Sequence, residues 1–295
     1  MRAAAILGLG CSPKNLKPFQ AEPTLQWQLG VPAPADADAI LLFGGDGTIH
    51  RHLAQLVKLA LPVLIVPAGS GNDFARALGI KRVRDSLAAW QKFIAGTNNV
   101  RQIDLGLITP FADETTQYSV PGTRYFACVA GIGLDAEVAR KANALPRWLR
   151  GHGGYALTLA PMIFHFAPFP MHIQVPDANK ANAWTSRTDQ PTTLAAFANT
   201  PVYGGGMKIA PKAKMDDGLL DICVVAGVNP LKLFSLFPTV YSGNHLSIRE
   251  VDYFTAQRAQ IRTEQPLDLY ADGEYVCHTP VEIAIQPAAL NVITP

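Results

Sequence analysis

The chain has 295 residues, of which 48% are hydrophobic and 16% charged, and 25 basic residues offset 23 acidic ones to a formal charge of +2. Globular proteins average about 25% charged residues. This composition therefore excludes an intrinsically disordered chain, which combines low hydrophobicity with high net charge, and a nucleic-acid binder built on a basic stripe.

The length suffices for one large domain or two ordinary ones. The chain opens with Met1-Arg2 and a short apolar run, Ala3 to Leu9, ending near Cys11. The run is short for a secretory signal and lacks a clear small-residue cleavage pattern, so it reads as a buried first strand. A polar, proline-containing loop follows. Asp38 to Phe43 is a compact apolar run ending in Gly44-Gly45-Asp46-Gly47-Thr48, and Leu53 to Ala60 follows with helical spacing. Pro62 to Val66 is another short strand, ending in Pro67-Ala68-Gly69-Ser70-Gly71-Asn72-Asp73. Phe74 to Leu78 and Arg84 to Ala95 have helical character. A strand, a glycine-rich turn and a helix, twice over, is the βαβ pattern of a parallel sheet.

After about Asp104 the texture changes. Tyr125–Val129, Leu194–Ala198, Leu220–Val225, Gln260–Arg262, Leu267–Ala271 and Val281–Ile285 are short strand-like segments separated by Gly, Pro and Asp turns. This is the pattern of an all-β sandwich or barrel. The polar, alanine-rich segment Pro176 to Thr192 reads as a loop. No Asp, Glu, Lys or Arg lies between Arg150 and Asp177. That length could span a membrane, but glycines and Pro161, Pro168 and Pro170 interrupt it. It reads as a buried or interfacial helix from about Gly154 to Phe166, then a strand from Met171 to Val175. Arg147, Trp148 and Arg150 border it; such residues anchor at membrane interfaces, and a packed helix with a basic edge accounts for them equally. Cys11, Cys128, Cys223 and Cys277 are far apart, which favours buried thiols over a disulfide framework or zinc site.

Glycines just after a strand let the backbone approach an anion closely, and the following helix N-terminus adds to the pull. Gly44, Gly45 and Gly47 fill that role in the first loop, Gly69 and Gly71 in the second. Thr48 and Ser70 can offer hydroxyls to phosphate. Asp46 cannot favour a bare phosphate, so it faces a magnesium ion, its water shell, a ribose or a loop N–H. His50 and His52 stand at i and i+2, which share no helix face, and so do not read as a metal pair. Asp272-Gly273-Glu274 places two acids around a glycine; an extended strand would send both carboxylates to one face, and a turn would separate them. Met215-Asp216-Asp217-Gly218-Leu219 offers carboxylate and turn carbonyl oxygens of the kind Mg²⁺ takes, and a simple Asp-Gly turn explains the same residues.

Gly44-Gly45-Asp46-Gly47-Thr48 resembles the signature shared by lipid kinases, NAD kinases and, more loosely, phosphofructokinases. Pro67 to Arg76 resembles the P-x-G-T-G-N-D-[FL]-A-R motif of the diacylglycerol kinase catalytic domain, where NAD kinases carry a different glycine motif. The resemblance continues through Asp104-Leu105-Gly106, Phe126 to Asp135, Gly205-Gly206-Met207 to Pro211, Asp217 to Asp221, and Asp272-Gly273-Glu274. It covers the chain from about Asp38 to the end.

The resemblance implies a bacterial soluble lipid kinase of the diacylglycerol/sphingosine kinase superfamily. It implies an N-terminal α/β nucleotide-binding domain of phosphofructokinase/NAD-kinase type over residues 1–106. A C-terminal all-β sandwich for the lipid follows over 107–285, with a cleft between the two. Residues 286–295 would pack back on the first domain. ATP is the implied co-substrate and Mg²⁺ the implied cofactor; the acceptor is a lipid alcohol, diacylglycerol before others, giving phosphatidic acid, with sphingoid bases, phosphatidylglycerol or another lipid alcohol left open. Gly44, Gly45, Asp46, Gly47, Thr48, Gly69, Ser70, Asn72 and Asp73 would bind the nucleotide. The base would be Asp272 or Glu274. A structural metal would rest on Asp217 with main-chain oxygens of Lys214 and Leu219. The enzyme would be cytoplasmic, touching its lipid at the inner membrane face, with no nucleic-acid partner; the sequence leaves a homodimer open.

Departures from the family pattern are specific. Gly8 to Lys14 replaces the usual N-P-x-x-G loop, and the stretch before Gly44 is short. His50 and Cys128 stand where Asn is common, and Ser70 where Thr is. These departures keep a catalytically impaired nucleotide- or lipid-binding regulator as a second reading; a soluble NAD-kinase-type enzyme is the third.

Overall fold

The computed structural model describes residues 1–111, 122–144, 161–177, 180 and 183–295. They form two compact units, Met1–Asp104 with Pro287–Pro295, and Leu105–Gln286.

The first unit is a parallel sheet. Its strands are β1 (Arg2–Leu7), β2 (Gln26–Leu29), β3 (Ala39–Gly44), β4 (Val63–Pro67) and the far end of the last strand, β16 (Val281–Ile293). They run in the order β2-β1-β3-β4-β16, every neighbour parallel. All six residues of β3 are buried, as are Val63 to Val66. A parallel sheet covered on both faces calls for such unbroken apolar runs. Helices α1 (Pro13–Leu16), α2 (Asp46–Leu59), α3 (Asp73–Ala77) and α4 (Val83–Ile94) connect them. On α2 the buried positions Ile49, Leu53 and Leu56 recur at helical spacing, and Ala60 closes the helix in a left-handed conformation. On α4, the buried Trp90 donates its indole N–H to the Phe19 carbonyl at 3.2 Å.

Two elements differ from the sequence reading. β2 lies inside the presumed loop: it is a four-residue edge strand, Gln-Trp-Gln-Leu, too short and too polar for its periodicity to register. Helix α2 begins at Asp46, so the first glycine loop shrinks to Gly44-Gly45. Gly45 supplies the extended N-cap, and Asp46 in the first turn complements the helix dipole.

The second unit is antiparallel. It takes the later part of β5 (Val100–Pro110), then β6 (Arg124–Phe126), β7 (Val129–Gly133), β8 (Phe169–Pro176), β9 (Trp184–Thr188) and β10 (Pro191–Ala198). There follow β11 (Leu220–Ala226), β12 (Val251–Ala256), β13 (Arg258–Thr263), β14 (Asp268–Ala271), β15 (Glu274–His278) and the start of β16. One layer runs β15-β14-β7-β10-β11-β12, and the other β9-β8-β13-β16. They join where β10 meets β8 at Pro191–Pro170 and Thr192–Phe169. The core between them includes Phe126, Ile132, Ile173, Phe197, Ile222 and Ile261, all fully buried.

This unit also carries helices. α5 (Leu134–Ala144) buries Leu134, Ala136, Val138 and Ala139; its small residues give a weak apolar stripe, which hides it in the sequence. A second helix spans Pro230–Leu236. β9 occupies part of the segment read as a loop, because its residues Trp-Thr-Ser-Arg-Thr are polar and mostly exposed. Of the expected helix from Gly154 to Phe166, residues 161–165 are helical. Residues 154–160 lie outside the described residues, as do Arg147, Trp148 and Arg150. No helix among the described residues is long and apolar enough to cross a membrane. All four cysteines are free. Burial pushes the Cys223 and Cys277 thiols up to about 12, so both are packing groups rather than nucleophiles.

Candidate functional site

In the first unit, the chain leaves β1 for β2 on one side and then returns to place β3 on the other. That reversal is a switch point, and in open parallel sheets ligands bind at the carboxyl ends of the strands there. The turns after β1, β3 and β4 carry the glycines. The Gly8 N–H donates to the Phe43 carbonyl at 2.7 Å. A Cβ on Gly8 would stand 2.8 Å from that same oxygen, and one on Gly44 would stand 2.6 Å from the Thr48 Cβ. The second and third turns touch backbone to backbone: a Cβ on Gly69 would lie 2.4 Å from the Gly45 Cα. No side chain fits between them.

Three polar side chains fix this edge. The Asp46 carboxylate accepts the N–H groups of Asp73 and Phe74 at 3.2 and 3.1 Å, so it caps α3. Gly71 makes room for this carboxylate, since a Cβ there would sit 2.6 Å from Asp46 Oδ2. Asn72, left-handed at φ 60°, accepts the Gly69 N–H at 2.9 Å and donates to the Gly69 carbonyl at 2.7 Å. Asp73 is buried and pairs with Arg76 at 2.7 Å. Thr48 is 7% exposed and packs under Gly8 and Gly44, so the exposed hydroxyl residue of this edge is Ser70. The Gly47 carbonyl accepts from Arg51 Nε at 3.0 Å. His52 Nδ1 lies 2.8 Å from the Thr48 carbonyl oxygen, one turn back on the same helix. The structure thus brings together all nine residues expected to bind nucleotide, several of them as the frame of the edge rather than its exposed face.

The second unit carries the acids. Asp272 and Gly273 have φ of 51° and 81°. They are the two central residues of the tight turn joining β14 to β15, a geometry that Asp-Gly suits. The turn separates the two carboxylates. Both Asp272 oxygens point back into the unit and accept the Ala127 and Cys128 N–H groups at 2.8 Å each. Asn199 holds the same segment from its carbonyls, at 3.0 Å to Ala127 and 2.8 Å to Cys128. Glu274 is exposed.

Asp217 is exposed and accepts the Leu219 N–H at 3.1 Å across Gly218, whose φ is 72°. Lys214 and Leu219 flank it in the same loop. Among the described residues no three His, Cys, Asp or Glu gather to hold a metal. One carboxylate plus main-chain carbonyls is nonetheless an all-oxygen set that Mg²⁺ completes with water, so these residues fit that ion. Asp221, four residues on, is buried under the Tyr253 hydroxyl at 2.5 Å; burial raises its carboxyl and the Tyr253 hydrogen bond opposes that rise.

One feature was not assigned from sequence. Asp135 is buried, accepts the Tyr203 hydroxyl at 2.5 Å and lies so close over Gly131 that a Cβ there would fall 1.9 Å from its carboxylate. It stands on the wall of an apolar cavity lined by Leu194, Leu233, Leu236 and Phe237 among others. The motif Phe126 to Asp135 pointed at the residue, and only the fold shows the cavity.

Residues 27–108 match the diacylglycerol kinase catalytic domain, and residues 128–294 match the YegS C-terminal NAD kinase beta sandwich-like domain. A diacylglycerol kinase of Mycobacterium tuberculosis is 34% identical over 259 residues, covering 88% of this chain and 77% of the relative. A YegS-like lipid kinase of Chromohalobacter salexigens is 28% identical over 260 residues, covering 87% and 76%. A Bacillus anthracis diacylglycerol kinase crystal structure superposes with a TM-score of 0.64 at 20% identity, covering 100% of this chain and 96% of that one. With both of its units matched and a relative above 30% identity along most of its length, the chain belongs to the diacylglycerol kinase family and is a lipid kinase.

Proposed function

We propose that the enzyme transfers the γ-phosphate of ATP to the hydroxyl of a lipid alcohol, diacylglycerol before others, with Mg²⁺. The observation that carries the reading is the close backbone contact of Gly45 with Gly69 at the switch point. Phosphoryl transfer needs positioned phosphates and an acceptor for the hydroxyl proton. Main-chain amides of the glycine turns hold the phosphates, and Ser70 adds a hydroxyl. Asp46 and Asn72 keep the turns in register.

Glu274 is the base: it takes the proton from the lipid hydroxyl as that oxygen bonds to phosphorus and the bond to ADP breaks. Asp272 is a positioning residue, since both of its oxygens hold main-chain N–H groups. Asp217, with the Lys214 and Leu219 carbonyls, would hold a Mg²⁺ ion. Such an ion supplies charge neutralisation and fixes the acidic loop. The name of the Mycobacterium tuberculosis relative supports diacylglycerol as acceptor.

The test is incubation with labelled ATP and a panel of diacylglycerol, sphingoid bases, phosphatidylglycerol, NAD and sugars. Label in phosphatidic acid is the expected result. Intact nucleotide binding with no transfer to any lipid would instead favour the regulator reading.

A further inference from the structure

We infer that Asn143, near the end of α5, is a positioning residue that fixes the direction of Glu274 through the carbonyl of Gly273. The inference rests on Glu274 being the base. The Asn143 side-chain amide donates to the Gly273 carbonyl oxygen at 2.6 Å, across 130 positions of the chain. That oxygen belongs to the planar peptide unit joining Gly273 to Glu274, so the contact acts on the group from which the Glu274 side chain hangs. Ala271 pairs with Glu274 across the ladder. The other ties of the turn stop one residue short of that peptide unit. The Asp272 carboxylate accepts the Ala127 and Cys128 N–H groups, and the Asp272 N–H donates to the Val129 carbonyl at 3.0 Å.

Packing does not hold this peptide unit. Gly273 is left-handed at φ 81°, and a Cβ built on it meets no atom within 4 Å among the described residues. Glycine also has more backbone freedom than any other residue, so a hydrogen bond must supply what contact does not. The body of the hairpin is fixed without Asn143. Asp268 accepts from His278 Nδ1 at 3.0 Å, which leaves Nε2 of the neutral ring to accept the Tyr275 hydroxyl at 2.9 Å. Tyr275 in turn packs edge-on to Tyr270, with ring centroids 5.7 Å apart. The freedom of the hairpin is therefore concentrated at its tip, where the base stands.

The sequence of α5 suits this contact. Ala136, Ala139 and Asn143 stand at i, i+3 and i+7, which places them on one face of the helix. Ala136 and Ala139 are buried against Tyr270 of β14. Their small side chains let the helix lie close to the strand, and the same face carries Asn143 one turn further, to the tip of the hairpin. The bond itself is exposed. Water competes for both of its groups, so it adds little to the stability of the fold. Its effect falls on direction, and a misplacement of about 1 Å costs on the order of 100-fold in a positioned site.

The test is steady-state kinetics on Asn143→Asp, Asn143→Ala and Asn143→Gln, with ATP binding and melting temperature measured beside them. Asn143→Asp keeps the shape of the side chain and removes the donor. In it and in Asn143→Ala, kcat should fall on the order of 10- to 100-fold, with KM for ATP, ATP affinity and melting temperature unchanged. Asn143→Gln keeps the amide on a longer stem and should recover most of the loss. The double variant Asn143→Ala/Glu274→Gln separates direction from structure. With no base left to direct, the Asn143 change should cost nothing beyond Glu274→Gln, so the two losses do not multiply. An unchanged kcat in Asn143→Asp and Asn143→Ala would overturn the inference. So would a melting temperature that falls with kcat and is not restored in Asn143→Gln, or losses that multiply in the double variant. Normal turnover by Glu274→Gln alone would overturn the base itself and this inference with it. Impaired turnover by Glu274→Gln beside a wild-type kcat in Asn143→Ala would overturn this inference and leave the base standing.

Discussion

The glycine edge of the first unit and the Asp272 turn of the second reach order by opposite means. At the edge, the determining contacts are excluded volumes: Gly45 against Gly69, Gly44 and Gly8 against Thr48, Gly71 against Asp46. At the turn, they are hydrogen bonds between residues 144 and 145 positions apart, Asp272 to Cys128 and Ala127. A glycine edge tolerates no added atom, and a hydrogen-bonded turn tolerates no lost acceptor. The two should therefore break differently.

The largest effect is expected at the edge. Gly69→Ala puts a methyl 2.4 Å from the Gly45 Cα. The turns must part, and turnover should fall on the order of 100-fold or more, given what a misplacement of about 1 Å costs in a positioned site. Steady-state kinetics alongside equilibrium ATP binding would show it; unchanged ATP affinity would contradict the role of this contact. Next comes the proposed base. Glu274→Gln should lower kcat on the order of 100- to 10,000-fold, with no change in melting temperature because Glu274 is exposed. Asp272→Asn separates the two acids. It replaces an acceptor with a donor facing an N–H, a change worth about 1–3 kcal/mol of stability, so its melting temperature should drop together with activity. If Asp272→Asn melted normally and Glu274→Gln turned over normally, the division of roles would be wrong.

A smaller effect is expected at the acidic loop. Added Mg²⁺ should raise the melting temperature of the wild type and leave that of Asp217→Ala where it was; no rise in the wild type, or an equal rise in both proteins, would contradict the site. The smallest concerns His245, which is buried with Nε2 3.1 Å from the Ile209 carbonyl oxygen. Burial lowers its pKa below the ordinary 6.5, the Ile209 hydrogen bond opposing. The unfolded chain then takes up the proton first as pH falls below about 6.5, so folding weakens toward acid and is unaffected above that range. His245→Leu should flatten this slope in denaturant titrations at stepped pH.

The same contrast explains what was legible in the sequence. The glycine edge is written in two contiguous runs, Gly44 to Thr48 and Pro67 to Arg76, because strand, turn and helix follow one another directly. The antiparallel layers announced themselves through apolar runs such as Leu220 to Val225. What stayed hidden depends on distant partners or on weak patterns. The turn at Asp272 is unremarkable until Ala127 and Cys128 are brought beneath it. α5 is alanine-rich, β2 and β9 are short and polar, and the helix Pro230–Leu236 is apolar on both faces, which leaves little periodicity to read. The charge-poor composition was visible from the start, and part of it now has a place: the acid-free stretch from Ala226 to Arg249 carries the exposed helix.

The most direct measurement follows labelled phosphate from ATP into lipid, with wild type and Glu274→Gln run in parallel on diacylglycerol vesicles. The expected result is labelled phosphatidic acid from the wild type, and its loss in the variant with ATP binding and melting temperature intact. Equal labelling by both proteins, or label transferred to NAD or a sugar rather than to lipid, would contradict the account.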